Sequence, residues 1–267
     1  MKRKHIPAAF LPLFFVFALA VVLFSLFSAS IPSLSVAPVR QETSPTLESS
    51  LAPPALPVQA KVRERIEVVD TILDVPYLSQ EGILPTGCEV VSAAMVLQYW
   101  GIDITAPELA EILPCSSMYE EKGEFHGPDP NEYFVGSPFD PYSYGCYAPV
   151  IADVVSDVEP SLTVQVLYDC SLEELYGEYV SQGIPVLLWC TINMVESYDG
   201  AAWTLPDGSS FTWRSNEHCL VLAGREGEEY ICMDSYDSNG QVSIPFALLE
   251  QRYEELGSQA VVMIPNE

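Results

Sequence analysis

The sequence predicts an α+β domain in which an antiparallel sheet packs on one buried helix. Helical patterns are concentrated between residues 84 and 183, whereas short β-branched runs dominate from residue 184 onward. The chain has 267 residues, which is enough for one such domain and for further segments outside it. We expect the domain to cover residues 66–267.

Residues 1–33 predict a transmembrane signal anchor. Three basic side chains and a histidine precede an apolar run of about 22 residues, which is long enough to cross a bilayer. Their charge predicts a cytoplasmic N-terminus and an extracytoplasmic domain, and hence a single-pass protein of the cell membrane. A cleaved signal peptide and a secreted protein are the alternative, because Ser28, Ala29 and Ser30 form a small-residue triplet at a suitable distance.

Residues 34–65 predict an extended linker between the membrane and the domain. The stretch from 28 to 59 is rich in Pro, Ser, Ala and Thr and contains no aromatic residue. Such a segment has too little apolar surface to fold by itself, and its prolines keep it extended.

The formal net charge of −26 restricts the classes of partner. An acidic surface repels phosphates, which argues against nucleic acid and against the domain lying on anionic lipid. A solvated acidic surface on an exported protein explains this charge better than a site for a cationic substrate.

The chain has seven cysteines, an odd number, so internal disulfides leave at least one thiol unpaired. If that thiol is Cys88, the other six can form three bridges, which export permits but does not require. The cysteines have no CxxC or CxxH spacing and the three histidines are scattered. We therefore expect no metal site and no cofactor.

The central helix is predicted over residues 84–101, where almost every residue is apolar. Thr86 and Glu89 have the spacing of a capping box, which places Cys88 at the second helical position, and Gly101 ends the helix. A thiol at the positive end of a helix has its thiolate favoured. Cys88 is therefore a candidate nucleophile, with a small buried apolar cysteine as the alternative.

The other elements follow in chain order. A strand from residue 62 stops at Pro76 and leads into a loop that contains Gln80. Further capping boxes start helices at Thr105 and Ser171, and the irregular, aromatic segment 115–147 has the character of a functional loop. A helix is predicted over 148–156 and a strand over 162–167, and further strands start at Ile184, Ser210, His218, Glu229, Val242 and Ala260.

Two of these strands predict a hairpin with a three-residue loop, because Gly227 stands where such a loop needs a left-handed residue. This register pairs Gly224 with Glu228 and places His218 opposite Asp234, about 5 Å apart at the backbone. It also places Cys219 opposite Met233, on the other face from Cys232, which disfavours a bridge between the two cysteines.

A cysteine at a helix start and a histidine oriented by a carboxylate are suited to nucleophilic acyl chemistry. In this scheme His218 takes the thiol proton of Cys88 and Asp234 orients the imidazole. His218 alone would also be consistent with a hydrogen-bonded core histidine.

The chain resembles a known family in a series of motifs, namely DVPYLSQEGILPTGCEVVSAAMVLQYWG, FVGSP, YGCYAP, GIPVLLW, EHCLVLAG and YICMDSY. In this order they are similar to the bacterial branch of cysteine peptidase family thirty-nine. This papain-like group includes enzymes that remove double-glycine leaders from bacteriocins. The resemblance implies a papain-like fold, Cys88 as nucleophile, His218 as base, Asp234 as orienting residue and Gln80 as oxyanion-hole donor. The resemblance runs from about residue 73 to residue 264 and includes no transporter segment, so we do not expect cleavage coupled to export.

Three functions are compatible with this pattern. The first is an extracytoplasmic cysteine peptidase acting on a peptide or protein substrate. The second is an acyl transferase or cell-wall peptide amidase of the same fold, because the same residues would serve it equally. The third is an inactive binding module on a stalk, which the joint presence of Cys88, His218 and Asp234 disfavours.

Overall fold

The computed structural model describes residues 70–236, 238 and 240–266. The predicted anchor at 1–33 and the predicted linker at 34–65 lie outside these residues. Among the helices of the described ranges, none has the length and apolar character needed to cross a membrane.

The helices are α1 (Cys88–Tyr99), α2 (Ala106–Glu111), α3 (Ala148–Val158), α4 (Leu172–Glu178) and α5 (Phe246–Glu254), with short 3-10 segments at Val180–Gln182 and Ile192–Met194. The first six strands are β1 (Cys115–Ser116), β2 (Tyr119–Glu121), β3 (Glu124–His126), β4 (Phe134–Val135), β5 (Leu162–Tyr168) and β6 (Val186–Thr191). The remaining strands are β7 (Tyr198–Thr204), β8 (Ser210–Ser215), β9 (Glu217–Glu226), β10 (Glu229–Met233), β11 (Gln241–Pro245) and β12 (Gln259–Pro265).

The main sheet has six strands in the order β11-β10-β9-β6-β12-β5, and every neighbouring pair is antiparallel. Alternate residues of β9 face opposite sides: Cys219 and Val221 belong to a core with α1 and α3, and Leu220 and Leu222 to a core with α4 and α5. Helices therefore cover both faces of the sheet. The predicted α+β class and the packing of an antiparallel sheet on the buried helix are confirmed.

A second sheet forms outside this core, in the order β2-β3-β7-β8. Part of it comes from the segment 115–147, and beneath it Val135, Trp203 and Trp213 form a small apolar cluster. The sequence did not predict β7 or α5. The strand contains Gly200, and α5 begins at Phe246 after Pro245, which provides no side-chain cap, so both lack the local signals on which sequence prediction depends.

The predicted strand from residue 62 is only partly within the described residues. There it is wrong, because the residues from 70 to 76 contribute a single isolated bridge, Ile72 to Gly224, rather than a strand.

The capping boxes at Thr105 and Ser171 are present as predicted. The one predicted for α1 is wrong: the cap is Gly87, without a side-chain hydrogen bond, and Cys88 is the first helical residue rather than the second. The Thr86 hydroxyl donates instead to the carbonyls of Ser137 (3.2 Å) and Asp140 (3.0 Å) in a distant loop. At the other end, Gly101 adopts the predicted left-handed conformation, with φ +80°.

Candidate active site

The β9–β10 hairpin carries His218 and Asp234, but its predicted register is wrong. Glu226 pairs with Glu229, so the loop has two residues, and Gly227 occupies its first position with φ +60°. A two-residue loop accepts glycine at that position, and the three-residue alternative needed it at the third. A bulge after Ile231 then shifts the pairing by one residue, and Met233 lies opposite Val221.

Despite this shift, the predicted contact between the two side chains is present. The next step of the observed register places Asp234 opposite Leu220, two residues from His218 and therefore diagonal to it on the same face. His218 Nε2 and Asp234 Oδ1 lie 2.8 Å apart, and both residues are buried. The Tyr236 N–H also donates to Asp234 Oδ1 (2.9 Å), which fixes the carboxylate. The imidazole thus keeps its Nδ1 for another partner.

The same correction applies to the cysteines of this hairpin. Met233 lies opposite Val221 rather than opposite Cys219, and Cys219 pairs with Trp189 of β6, the other neighbour of β9. It nevertheless faces the core on the α1 side, and Cys232 faces the opposite core, so the predicted separation of the two is confirmed. All seven cysteines are free thiols in the structure.

Gln80 is buried next to Asp234. Its backbone N–H donates to the carbonyl of Ser235 (3.0 Å), and its Oε1 accepts from the Ser235 hydroxyl (2.7 Å). Its Nε2 donates to the carbonyl of Pro85 (3.2 Å). Ser235, which sequence reasoning missed, directly follows Asp234 and therefore ties Gln80 to the segment that carries this carboxylate.

Cys88 occupies the start of α1 and is 5% exposed. Its thiol donates to Glu89 Oε2 (3.3 Å). Burial raises the pKa of Cys88 well above its ordinary value, the charges of Glu89 and Glu217 raise it further, and a hydrogen bond from the Cys219 N–H lowers it. The site therefore holds a thiol at rest, whereas helix position alone favoured a thiolate.

Within the described residues, Cys88 Sγ and the His218 ring are not hydrogen-bonded to each other. The two residues are close through the backbone, because Cys219, whose N–H bonds the sulfur, directly follows His218. The predicted site residues thus form two groups. His218 pairs with Asp234 and has Gln80 beside it, and Cys88 lies against the start of β9.

Two carboxyl groups complete the surroundings of Cys88 and were not predicted, namely Glu89 and the half-buried Glu217, whose Oε1 is enclosed. Glu89 is fully buried, and its Oε1 accepts from the Cys146 N–H (2.7 Å). Burial raises the pKa of Glu89 to about 7, and burial together with the Glu89 charge raises that of Glu217 well above its ordinary value. The sequence offered one indication that they belong to the site, because Glu89 directly follows Cys88 and Glu217 directly precedes His218.

One set of donor atoms in the described residues is compact enough to be considered for a metal. The ligand atoms of Cys88, Glu89 and Glu217 lie within 4.8 Å of one another. Both Glu89 oxygens already accept hydrogen bonds from protein groups, so we assign no metal to this set.

Comparison with known proteins places these features in a family. The sequence model of the Peptidase_C39 like family matches residues 72–261. The uncharacterized protein YvpB of Bacillus subtilis is 29% identical over 181 residues, covering 67% of this chain and 70% of YvpB. A chain from Bacillus anthracis, described as a C39-like peptidase without established activity, is 29% identical. That comparison has a TM-score of 0.67 and covers 74% of this chain and 99% of the other.

A double-glycine-motif protease from an AMS/PCAT transporter, solved in complex with the leader peptide, is 16% identical. Its TM-score is 0.45, and the comparison covers 74% of this chain and 99% of that one. At this TM-score the likeness does not support a shared mechanism. The family match spans most of the domain that contains Cys88, His218 and Asp234. The chain therefore belongs to the Peptidase_C39 like family.

Proposed function

We propose that the protein is a cysteine peptidase that hydrolyses peptide bonds, with Cys88 as nucleophile and His218 as general base. The observation that carries this proposal is the buried pair of His218 and Asp234 beside the start of the helix that bears Cys88. A nucleophile, a base and a group that orients the base are the parts that acyl chemistry requires.

In the proposed reaction, His218 takes the thiol proton of Cys88 through Nδ1, because its Nε2 is engaged by Asp234. The thiolate attacks the peptide carbonyl, and His218 then protonates the leaving amine. Water, activated by the same imidazole, releases the acyl group and regenerates the thiol. To enter this cycle, the thiol proton has to turn from Glu89 Oε2 toward the imidazole.

Two donors are suited to the oxyanion. The first-turn N–H of Cys88 has no partner within its helix, and the Gln80 side chain lies in the preceding loop. We propose that Gln80 Nε2 turns from the Pro85 carbonyl toward the oxyanion. Its hydrogen bond to that carbonyl is 3.2 Å, longer than the 2.7 Å bond between its Oε1 and Ser235.

Hydrolysis can be distinguished from acyl transfer by the product. We expect the full-length protein in detergent to cleave members of a peptide mixture and to leave free carboxylates that incorporate heavy oxygen from labelled water. The matched control is Cys115→Ala, which removes an exposed cysteine and should cleave equally well. Products joined to an added amine would instead assign the protein as a transferase, and no product from any peptide would contradict enzymatic function.

We further propose that residues 1–33 anchor the protein in the cell membrane, with the domain on the extracytoplasmic side. The support is the basic cluster before the apolar run. Protease added to intact cells should then degrade the domain while a cytoplasmic marker survives. Protection until lysis would reverse the topology, and a soluble form beginning near residue 31 would favour a cleaved signal.

A further inference from the structure

The proposed peptidase mechanism leaves two carboxyl groups next to the nucleophile without a role. Glu89 Oε2 accepts a hydrogen bond from the Cys88 thiol, and Glu217 Oε1 is buried with no hydrogen-bond partner among the described residues. Burying such groups costs several kcal/mol if they are charged and unpaired, so their presence beside the proposed nucleophile needs an explanation.

The two carboxyl groups flank the backbone at Gly145. A side chain at this position would place its Cβ 2.5 Å from Glu89 Oε1 and 3.0 Å from Glu217 Oε2. Gly145 also has φ +154°, and the next residue, Cys146, is fixed by a 2.9 Å bond from Trp189 Nε1 to its carbonyl. The loop thus holds the two carboxyl groups in a narrow space, with Cys88 Sγ within 4.8 Å of an oxygen of each.

No basic side chain of the described residues forms an ion pair with either carboxyl group. Several titratable side chains face them from the surrounding elements: Cys88 on α1, His218 and Cys219 on β9, and Cys146 and Tyr147 before α3. Of these, only the imidazole can carry positive charge. Two carboxylates so close together and without a cation cannot both ionise easily, and one retains a proton.

We propose that Glu89 and Glu217 share one proton and act as positioning residues for the Cys88 sulfur. The inference rests on the proposed function in that Cys88 is taken as the nucleophile. When the thiol proton passes to His218, the shared proton lies on Glu89 Oε2 and is donated to the thiolate sulfur. The pair keeps its single proton throughout, so the imidazole is the only acceptor of the thiol proton.

The electrostatics of the site agree with this geometry. Burial raises the pKa of Glu89 to about 7. A proton on Glu89 lets its O–H stabilise a thiolate. Loss of the shared proton at higher pH places a second negative charge beside the sulfur and opposes thiolate formation.

The test is the pH dependence of Cys88 alkylation by iodoacetamide, followed by peptide mass spectrometry on the full-length protein. Glu89→Gln replaces the charge by a neutral donor, so the midpoint of alkylation should move to lower pH, with about tenfold faster labelling below the original midpoint. Glu217→Gln should move it to higher pH, because the charge is then confined to Glu89. Glu228→Gln, an exposed substitution in the hairpin loop, should change nothing.

Opposite shifts of the alkylation midpoint in the two variants would indicate a shared proton. If the two carboxylates were independent, both substitutions would lower the midpoint. That outcome, or no shift in either variant, would overturn the proposal.

Infrared spectroscopy of the wild-type protein gives a second readout, which does not depend on the folding of either variant. The wild-type protein at neutral pH should show the carbonyl stretch of a protonated carboxyl group, and its absence would also overturn the proposal. Neither readout requires turnover, so failure of the peptidase assignment would be seen separately.

Discussion

Replacing Cys88 by alanine is expected to abolish turnover while the fold is retained. Without the nucleophile no acyl intermediate forms, and the loss should be on the order of 10⁵–10⁶-fold in kcat. Alanine keeps the start of α1 helical and removes one buried methyl-sized group, which should cost about 1 kcal/mol of unfolding free energy. Steady-state kinetics on a peptide found by profiling, with circular dichroism as the folding check, measures both effects.

The matched control for this variant is Cys115→Ala, because Cys115 is exposed on β1 and lies outside the site. It should retain wild-type kcat. Undiminished activity in Cys88→Ala would remove the proposed nucleophile and with it the mechanism.

His218→Ala is expected to be nearly as severe. Without the imidazole, the thiol of Cys88 keeps its raised pKa, and the leaving amine receives no proton. Asp234→Asn should be milder, because the imidazole keeps a hydrogen-bonding neighbour and loses only charge stabilisation. The measurement is kcat for the two variants beside the wild type, on the same peptide.

His126→Ala serves as the histidine control, since His126 lies on β3 and stacks on Tyr119 at 5.4 Å between ring centroids. It should leave kcat unchanged. A kcat in His218→Ala close to that of the control would show that another group acts as the base.

The central helix and the positions of the main strands along the chain were predictable because their signals are local. The apolar run after residue 87 predicts a helix that is buried in the core. The capping boxes at Thr105 and Ser171 involve residues that are three apart in sequence. The same local spacing was misleading at Thr86, whose hydroxyl bonds a loop more than fifty residues away. A local pattern carries no information about such a partner.

The β9–β10 hairpin shows that the face on which side chains lie can be predicted even where the exact pairing of residues is not. Gly227 suits a loop of two or three residues, and the bulge after Ile231 has no sequence signal, so the predicted pairing failed in detail. The observed offset places Asp234 two residues from direct opposition to His218. Because side chains alternate with a period of two, that even offset kept both on one face.

The two glutamates beside Cys88 could not be assigned from sequence for a different reason. Charged residues are usually exposed, and only tertiary packing brings Glu89 and Glu217 together at Gly145. Their charge also works against the thiolate that helix position predicted, since burial and the charges of Glu89 and Glu217 raise the pKa of Cys88.

The most direct test of activation of Cys88 by His218 is intact-mass analysis of the protein after reaction with a set of peptidyl fluoromethylketones, followed by peptide mapping. We expect one adduct per chain, on Cys88, formed much more slowly in His218→Ala and at the wild-type rate in His126→Ala. An adduct on any other cysteine while Cys88 stays unmodified, or equal rates in all three proteins, would contradict the claim that His218 activates Cys88.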